Sequence, residues 1–163
     1  MDFRTAIPLP FLASYPALIS QSSIHEKINI TSPNPSPRDN YNPTNPQPLT
    51  GPTKLLRLGD IVLGRSDDKG GNLNVGFFPR NPAHWPWLRS FMTRERMREL
   101  IGEDWEEGFF IERVEFEGIR AVHFVIYAIL GRGVSSSSRL DGFGKGFVDY
   151  VRDKVVGVPV GLV

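Results

Sequence analysis

The sequence predicts an α+β domain: a four-stranded sheet with two helices on one face, in the order ββαββα. Two apolar-patterned stretches (55–63 and 73–78) precede a helical one. Two more (109–117 and 121–129) precede another. Strand stretches are short and separated by Gly, Pro, Asn or charged clusters, whereas the helical ones carry caps and four-residue spacing.

Leu55–Leu63 is expected as strand 1, with Leu56, Leu58 and Val62 on one face and Ile61 and Leu63 on the other. Leu73–Phe78 is strand 2, with Leu73, Val75 and Phe77 inward and Pro79 and Pro82 ending it. Trp85–Phe91 gives one or two helical turns, where Trp85 and Trp87 serve packing. Thr93 is placed to N-cap a segment ending at Ile101, where Gly102 stops it. Phe109–Glu117 is strand 3. Val114 and Phe116 would face the core, leaving Arg113, Glu115 and Glu117 in water. Ala121–Ile129 is apolar almost throughout and reads as a central strand buried on both faces, with His123 structural. Asp141 should N-cap a helix reaching about Val155, with Phe143, Phe147 and Val151 on its buried face. The tail Val156–Val163 is an added edge strand or a docking arm.

This order is a circular permutation of βαββαβ, the ferredoxin-like split βαβ. Strands 1 and 2 form one hairpin and strands 3 and 4 the other, with strands 2 and 4 expected parallel in the middle. On that topology, the loop after strand 1 and the loop after strand 4 lie at opposite ends of the sheet. They would meet only if the first folds over or a second subunit supplies one of them.

The domain is expected to span residues 53–163. Of the 14 prolines, seven fall between Pro33 and Pro52. Residues 31–52 carry few large apolar side chains and read as a linker. Residues 1–30 are richer in them (Phe3, Ile7, Leu9, Phe11, Leu12) and read as a docking arm or the remnant of an upstream domain.

Composition removes several function classes. The net charge is +1, against charge-driven nucleic-acid binding. With no cysteine, disulfide scaffolds and thiolate metal sites are excluded, which fits a reducing compartment. No apolar run approaches the roughly 20 residues that span a bilayer. The N-terminus is a poor signal peptide, so a cytoplasmic protein is expected. His25 and His84 lack partners at metal-ligand spacing, and neither metal nor cofactor is expected.

Two polar segments stand out. Arg65–Asn74 packs two carboxylates, two cations, two glycines and two amides into ten residues. Read as a loop, it offers Arg65 and Lys69 to an anion and Ser66, Gly70, Asn72 and Asn74 as hydrogen-bonding partners. Asp67 or Asp68 could act as a base or orient Lys69. The plainer alternative is a long hairpin loop whose charges pair among themselves. The second segment, Gly131–Lys145, leads to a helix N-terminus, a favoured anion site, with Gly131, Gly133, Ser135, Arg139, Asp141 and Lys145 as candidates. Its alternative is a Gly/Ser connector capped by Asp141. It lacks the ending of a phosphate-binding Walker loop, and the serines lack a nucleophile elbow.

Arg65-Ser66-Asp67-Asp68-Lys69-Gly70 followed by Asn72–Gly76 resembles the "ARSGDKG…NIG" signature of the AtuA-like ferredoxin-fold domain. Ala121–Val125, Leu130–Val134 and Arg139-Leu140-Asp141 with Gly144-Lys145 are similar to its second signature. Asp67 stands where the bacterial pattern has Gly, and the Ser135–Ser138 run is more uniform than the pattern. Residues 2–24 resemble the segment that joins this module to a large N-terminal domain in fungal members. The resemblance implies the C-terminal piece of proteins linked to acyclic terpene utilisation, without the large domain. It brings no enzyme class whose mechanism transfers. Two functions follow as expectations. The first is a binding or assembly module docking on the large AtuA-like domain in cis or in trans, as a homo-oligomer, and presenting polar loops to an anionic small molecule. The second is a small enzyme or catalytic half-site on an acidic or CoA-linked terpenoid, with Asp67, Asp68 and Lys69 in catalysis.

Overall fold

The computed structural model describes residues 12–19, 24–31, 41–48, 50–133, 138 and 141–163. The chain divides into two units, Met1–Arg38 and Asp39–Val163. In the first, β1 (Leu12–Ile19) and β2 (Ile24–Thr31) form an antiparallel hairpin, with Leu12 opposite Thr31 and Ile19 opposite Ile24. Phe3, Ile7, Leu9 and Phe11 lie outside the described residues.

The second unit holds the ββαββα order. Its main sheet has four strands in the order β4-β5-β7-β6: β4 (Val62–Lys69), β5 (Asn72–Pro79), β6 (Phe110–Phe116) and β7 (Ala121–Tyr127). The expected strand 1 is divided. Thr53–Arg57 forms β3, Leu58–Ile61 one helical turn (α1), and Val62 opens β4. Gly59 and Asp60 are poor strand residues, and they bend the chain where Leu58 and Val62 are both fully buried. The tail is an added strand, β8 (Val155–Pro159), paired antiparallel with β3.

The central pair differs from expectation: β5 and β7 are antiparallel. The connection explains it. β5 leads through α2 (Trp85–Phe91) and α3 (Arg94–Ile101) into β6, and strands joined by a helical crossover run parallel. β7 is the hairpin partner of β6 and lies between β6 and β5, so it opposes both. Parallelism thus belongs to β5 and β6, the split pair. The consequence is positional: Asn72 at the start of β5 and Tyr127 at the end of β7 lie at the same end of the sheet.

Thr93 caps α3 as expected, its side chain accepting from the Arg96 N–H, and Gly102 ends the helix at φ 63°. The last helix is shorter than expected: α4 covers Phe147–Arg152. Asp141 caps the loop before it, accepting from the Lys145 N–H (3.1 Å) and Gly146 N–H (2.8 Å). Gly144 delays the helix. It sits at φ 64°, and a methyl group there would run into Leu73. The buried face of α4 is therefore Val148 and Val151, while Phe143 is exposed.

The helices cover one face of the sheet. Leu73, Val75, Phe77, Val122, Phe124 and Ile126 meet Leu88, Met92, Met97, Ile101, Val148 and Val151 there. β6 presents the opposite face from the one expected. Ile111, Arg113 and Glu115 point toward the helices, while Phe110 and Phe116 are about half exposed (53% and 49%). Arg113 is fully buried because distant segments satisfy it. Its Nε donates to the Met92 carbonyl (2.6 Å), Nη1 to the Tyr41 carbonyl (2.7 Å), and Nη2 to the Arg89 carbonyl (2.7 Å) and Glu115 (2.8 Å). It caps the C-terminal end of α2. Glu115 also accepts from Arg89 Nε at 2.9 Å. Burial pushes the Arg113 guanidinium below the ordinary arginine value, while Glu115 pulls it back up.

Residues 41–47, inside the Pro/Asn-rich stretch, are bonded to this unit. The Tyr41 N–H donates to the Arg113 carbonyl (3.1 Å), Asn42 joins Glu95 and the Arg94 N–H, and the Gln47 N–H donates to Ser90 Oγ.

Candidate functional site

The first polar segment is a tight hairpin rather than a loop. Arg65–Lys69 belong to β4, Asn72 and Asn74 to β5, and only Gly70 and Gly71 turn the chain, Gly70 at φ 66°. Strand periodicity then sorts its residues between two faces. Arg65, Asp67 and Lys69 point to the outward face, away from the helices. Ser66 and Asp68 point to the helix side. Asp67 and Asp68 are thus on opposite faces, joined locally by the Asp68 N–H donating to Asp67 Oδ1 (3.1 Å).

Ladder pairing gives the outward face its rows. Arg65 lies opposite Gly76, Gly76 opposite His123, and His123 opposite Val114. The next row is Asp67, Asn74, Val125 and Glu112. One step further come the pairs Lys69–Asn72 and Tyr127–Phe110. Gly76 has no side chain of its own, and the Phe78 ring and His123 lie over it, 3.7 Å and 3.9 Å from where a methyl group would sit, with Arg65 opposite. Two polar residues of this face, Glu112 and Tyr127, were missed in the sequence, and His123, read there as structural, lies on it too. Tyr127 donates to Glu112 Oε2 at 2.7 Å. The His123 ring sits edge-on to Phe116 at 5.9 Å, and burial pushes its pKa below the ordinary histidine value. The signal for them is two-residue alternation, visible only once the register of β6 and β7 is known.

The two polar segments meet within one chain, which corrects the expected separation. The Leu130 N–H donates to the Gly71 carbonyl (3.0 Å), and the Ala128 N–H donates to Asn72 Oδ1 (3.0 Å). That second bond helps hold Ala128 at φ 65°. A methyl group at Gly71 would run into the Gly131 carbonyl, and one at Gly133 would lie 3.3 Å from the Gly70 carbonyl carbon. These glycines let backbone pack on backbone. The Gly131 N–H is bonded to the Ala128 carbonyl (2.9 Å).

Ser66 makes a second link on the helix side. Its Oγ accepts from the Val148 N–H (3.0 Å) and donates to the Lys145 carbonyl (3.3 Å). The candidate residues therefore fall into three places. Arg65, Asp67, Lys69 and Asn74 line the outward face. Gly70, Asn72, Gly131 and Gly133 form the junction at the sheet end. Ser66, Asp68, Asp141 and Lys145 lie on the helix side, where the Lys145 ammonium sits 5.7 Å from the centre of the Phe143 ring. Ser135 and Arg139 lie outside the described residues.

Among the described residues no three His, Asp or Glu side chains group to hold a metal ion. Nor is any helix among them long and apolar enough to cross a membrane. No curated protein and no solved structure matches the chain. The family model of the AtuA ferredoxin-like domain matches residues 56–157. That stretch contains the whole four-stranded sheet, the split β5–β6 pair and both polar segments, and the chain belongs to the AtuA ferredoxin-like domain family.

Proposed function

We propose that this domain is a binding and assembly module. Its outward sheet face takes an anionic ligand and docks on a larger AtuA-like partner domain, in cis or in trans. The observation that supports this most is the composition of that face. Arg65 and Lys69 lie along edge strand β4, Gly76 puts no side chain of its own between Arg65 and His123, and Leu63, Phe110 and Phe116 stand about half exposed around them. Cations with an amide at Asn74 suit a carboxylate or phosphate group. Large apolar side chains left half exposed suit a protein surface laid over them. The junction at Gly71 and Gly131 supports the same reading, because it holds β4 and β5 rigidly at the ligand end.

Co-expression with a large AtuA-like N-terminal domain, followed by affinity capture and size-exclusion chromatography, tests this. Association is expected, weakened by Phe110→Asp and Phe116→Asp and by Arg65→Glu. Absence of any association, with this chain a well-behaved monomer, would overturn it.

A further inference from the structure

On the helix side of the sheet, a cleft of about 550 Å³ opens between the end of α3 and the start of α4. This is within the volume range of small-molecule sites. Ile129, Leu130 and Phe147 supply apolar wall, and Asp104, Asp141 and Tyr150 supply the polar groups. The polar groups are short of protons. The Tyr150 hydroxyl lies 2.9 Å from the Ile101 carbonyl oxygen and 2.8 Å from Asp104 Oδ2, and it has one hydrogen to give to the two acceptors. Ile101 is the last residue of α3, where the helix dipole is negative. Asp141 adds a second carboxylate, its oxygens held by the Lys145 and Gly146 N–H groups. Among the described residues no Lys, Arg or His lines the cleft. Lys154 stacks its ammonium on the Tyr150 ring, 4.0 Å from the centroid, outside that lining.

We infer that this cleft binds an amphipathic primary amine in its protonated form. The ammonium sits among the Tyr150 hydroxyl, Asp104 and the Ile101 carbonyl, and the hydrocarbon lies against Ile129, Leu130 and Phe147. An ammonium brings three donors and no acceptor, which is what three oxygens sharing one hydrogen lack. A carboxylate or phosphate here would instead face two carboxylates and a helix C-terminus. The cleft therefore selects the charge opposite to the ligand of the outward face, and it does not depend on that reading.

The test is titration of the ¹⁵N-labelled full chain with n-octylammonium, n-octanol and n-octanoate, read on backbone amides. Octylammonium is expected to shift the amides of Ile129, Leu130, Phe147 and Tyr150 saturably. Octanol should shift them more weakly, and octanoate not at all over the same range. Asp104→Asn, at an exposed position, should weaken octylammonium binding about three- to fivefold while leaving the spectrum otherwise intact. Equal shifts with octanoate, a non-saturating response to octylammonium, or unchanged affinity in Asp104→Asn would each overturn the inference.

Discussion

Replacing Arg113 with Met should cost more stability than any exposed charge in the domain. The side chain is 0% exposed and donates to three backbone carbonyls and one carboxylate, at 2.6 to 2.8 Å. Met keeps much of the aliphatic volume and removes every donor. The carbonyls of Met92, Arg89 and Tyr41 then lose a charged partner in a place water reaches poorly. Among the described residues, Glu115 keeps Arg89, at 2.7 Å. Breaking a buried, hydrogen-bonded ion pair from one side costs about 4 kcal/mol. Against a domain stability of about 5–15 kcal/mol, that is a large share. In urea, with an m-value of about 1.5 kcal/mol per M, the midpoint should fall by about 2–3 M with m unchanged. The control is Arg96→Met, which breaks a partly exposed pair with Glu99 (2.6 Å) and should cost less than about 1 kcal/mol. In a double-mutant cycle, Arg113→Met with Glu115→Gln should show a coupling of about 1–3 kcal/mol. A loss below about 1 kcal/mol for Arg113→Met would refute the claim that this guanidinium ties β6, α2 and residue 41 together.

Gly71→Val should destabilise the domain by about 1–3 kcal/mol, because the new side chain meets the Gly131 carbonyl; chemical denaturation checks it, and a neutral result would deny the close junction. Ser66→Ala removes the only side chain linking β4 to the Lys145 carbonyl and the Val148 N–H among the described residues. It should cost about 1–2 kcal/mol and speed amide exchange at Val148. His123 has a folded pKa below its ordinary 6.5, so the unfolded chain takes up the proton first. Its contribution is complete above about pH 6.5 and is lost as pH falls toward the folded value. His123→Leu should flatten the stability profile on that acid limb, measured by urea midpoints from pH 5 to 8.

What the sequence made legible had local causes. Thr93 and Gly102 bound α3 because a cap and a stop act over three or four residues. The ββαββα order was readable because each element carries its own period. β4 was misread beyond Leu63 because an edge strand with Arg65, Asp67 and Lys69 outward has no apolar residues to alternate. Its inward Ser66 is held by α4, some 80 residues away in sequence. The face of β6 was misread for a similar reason. Arg113 and Glu115 are acceptable inside only because residues 41, 89 and 92 converge on them, and nothing near position 113 announces that. Glu112 and Tyr127 stayed hidden, and His123 was read as structural alone, because membership of a shared face is a property of three strands together.

The direction of one strand pair decides whether the two polar segments need a neighbour to meet. With β5 and β7 parallel, the segments at Gly71 and Gly131 would sit at opposite ends, and a second subunit would have to complete their junction. With the pair antiparallel, Leu130 bonds to Gly71 and Ala128 to Asn72 inside one chain, so the junction is complete without a partner. On the proposed reading, the partner is recognised by what the junction supports, the outward face that carries Arg65, Lys69, Asn74 and His123. Two kinds of substitution separate the roles. Changes at Gly71 should lower stability in the isolated chain. Changes at Arg65 or Phe110 should leave that stability within about 0.5 kcal/mol and act only when ligand or partner is present.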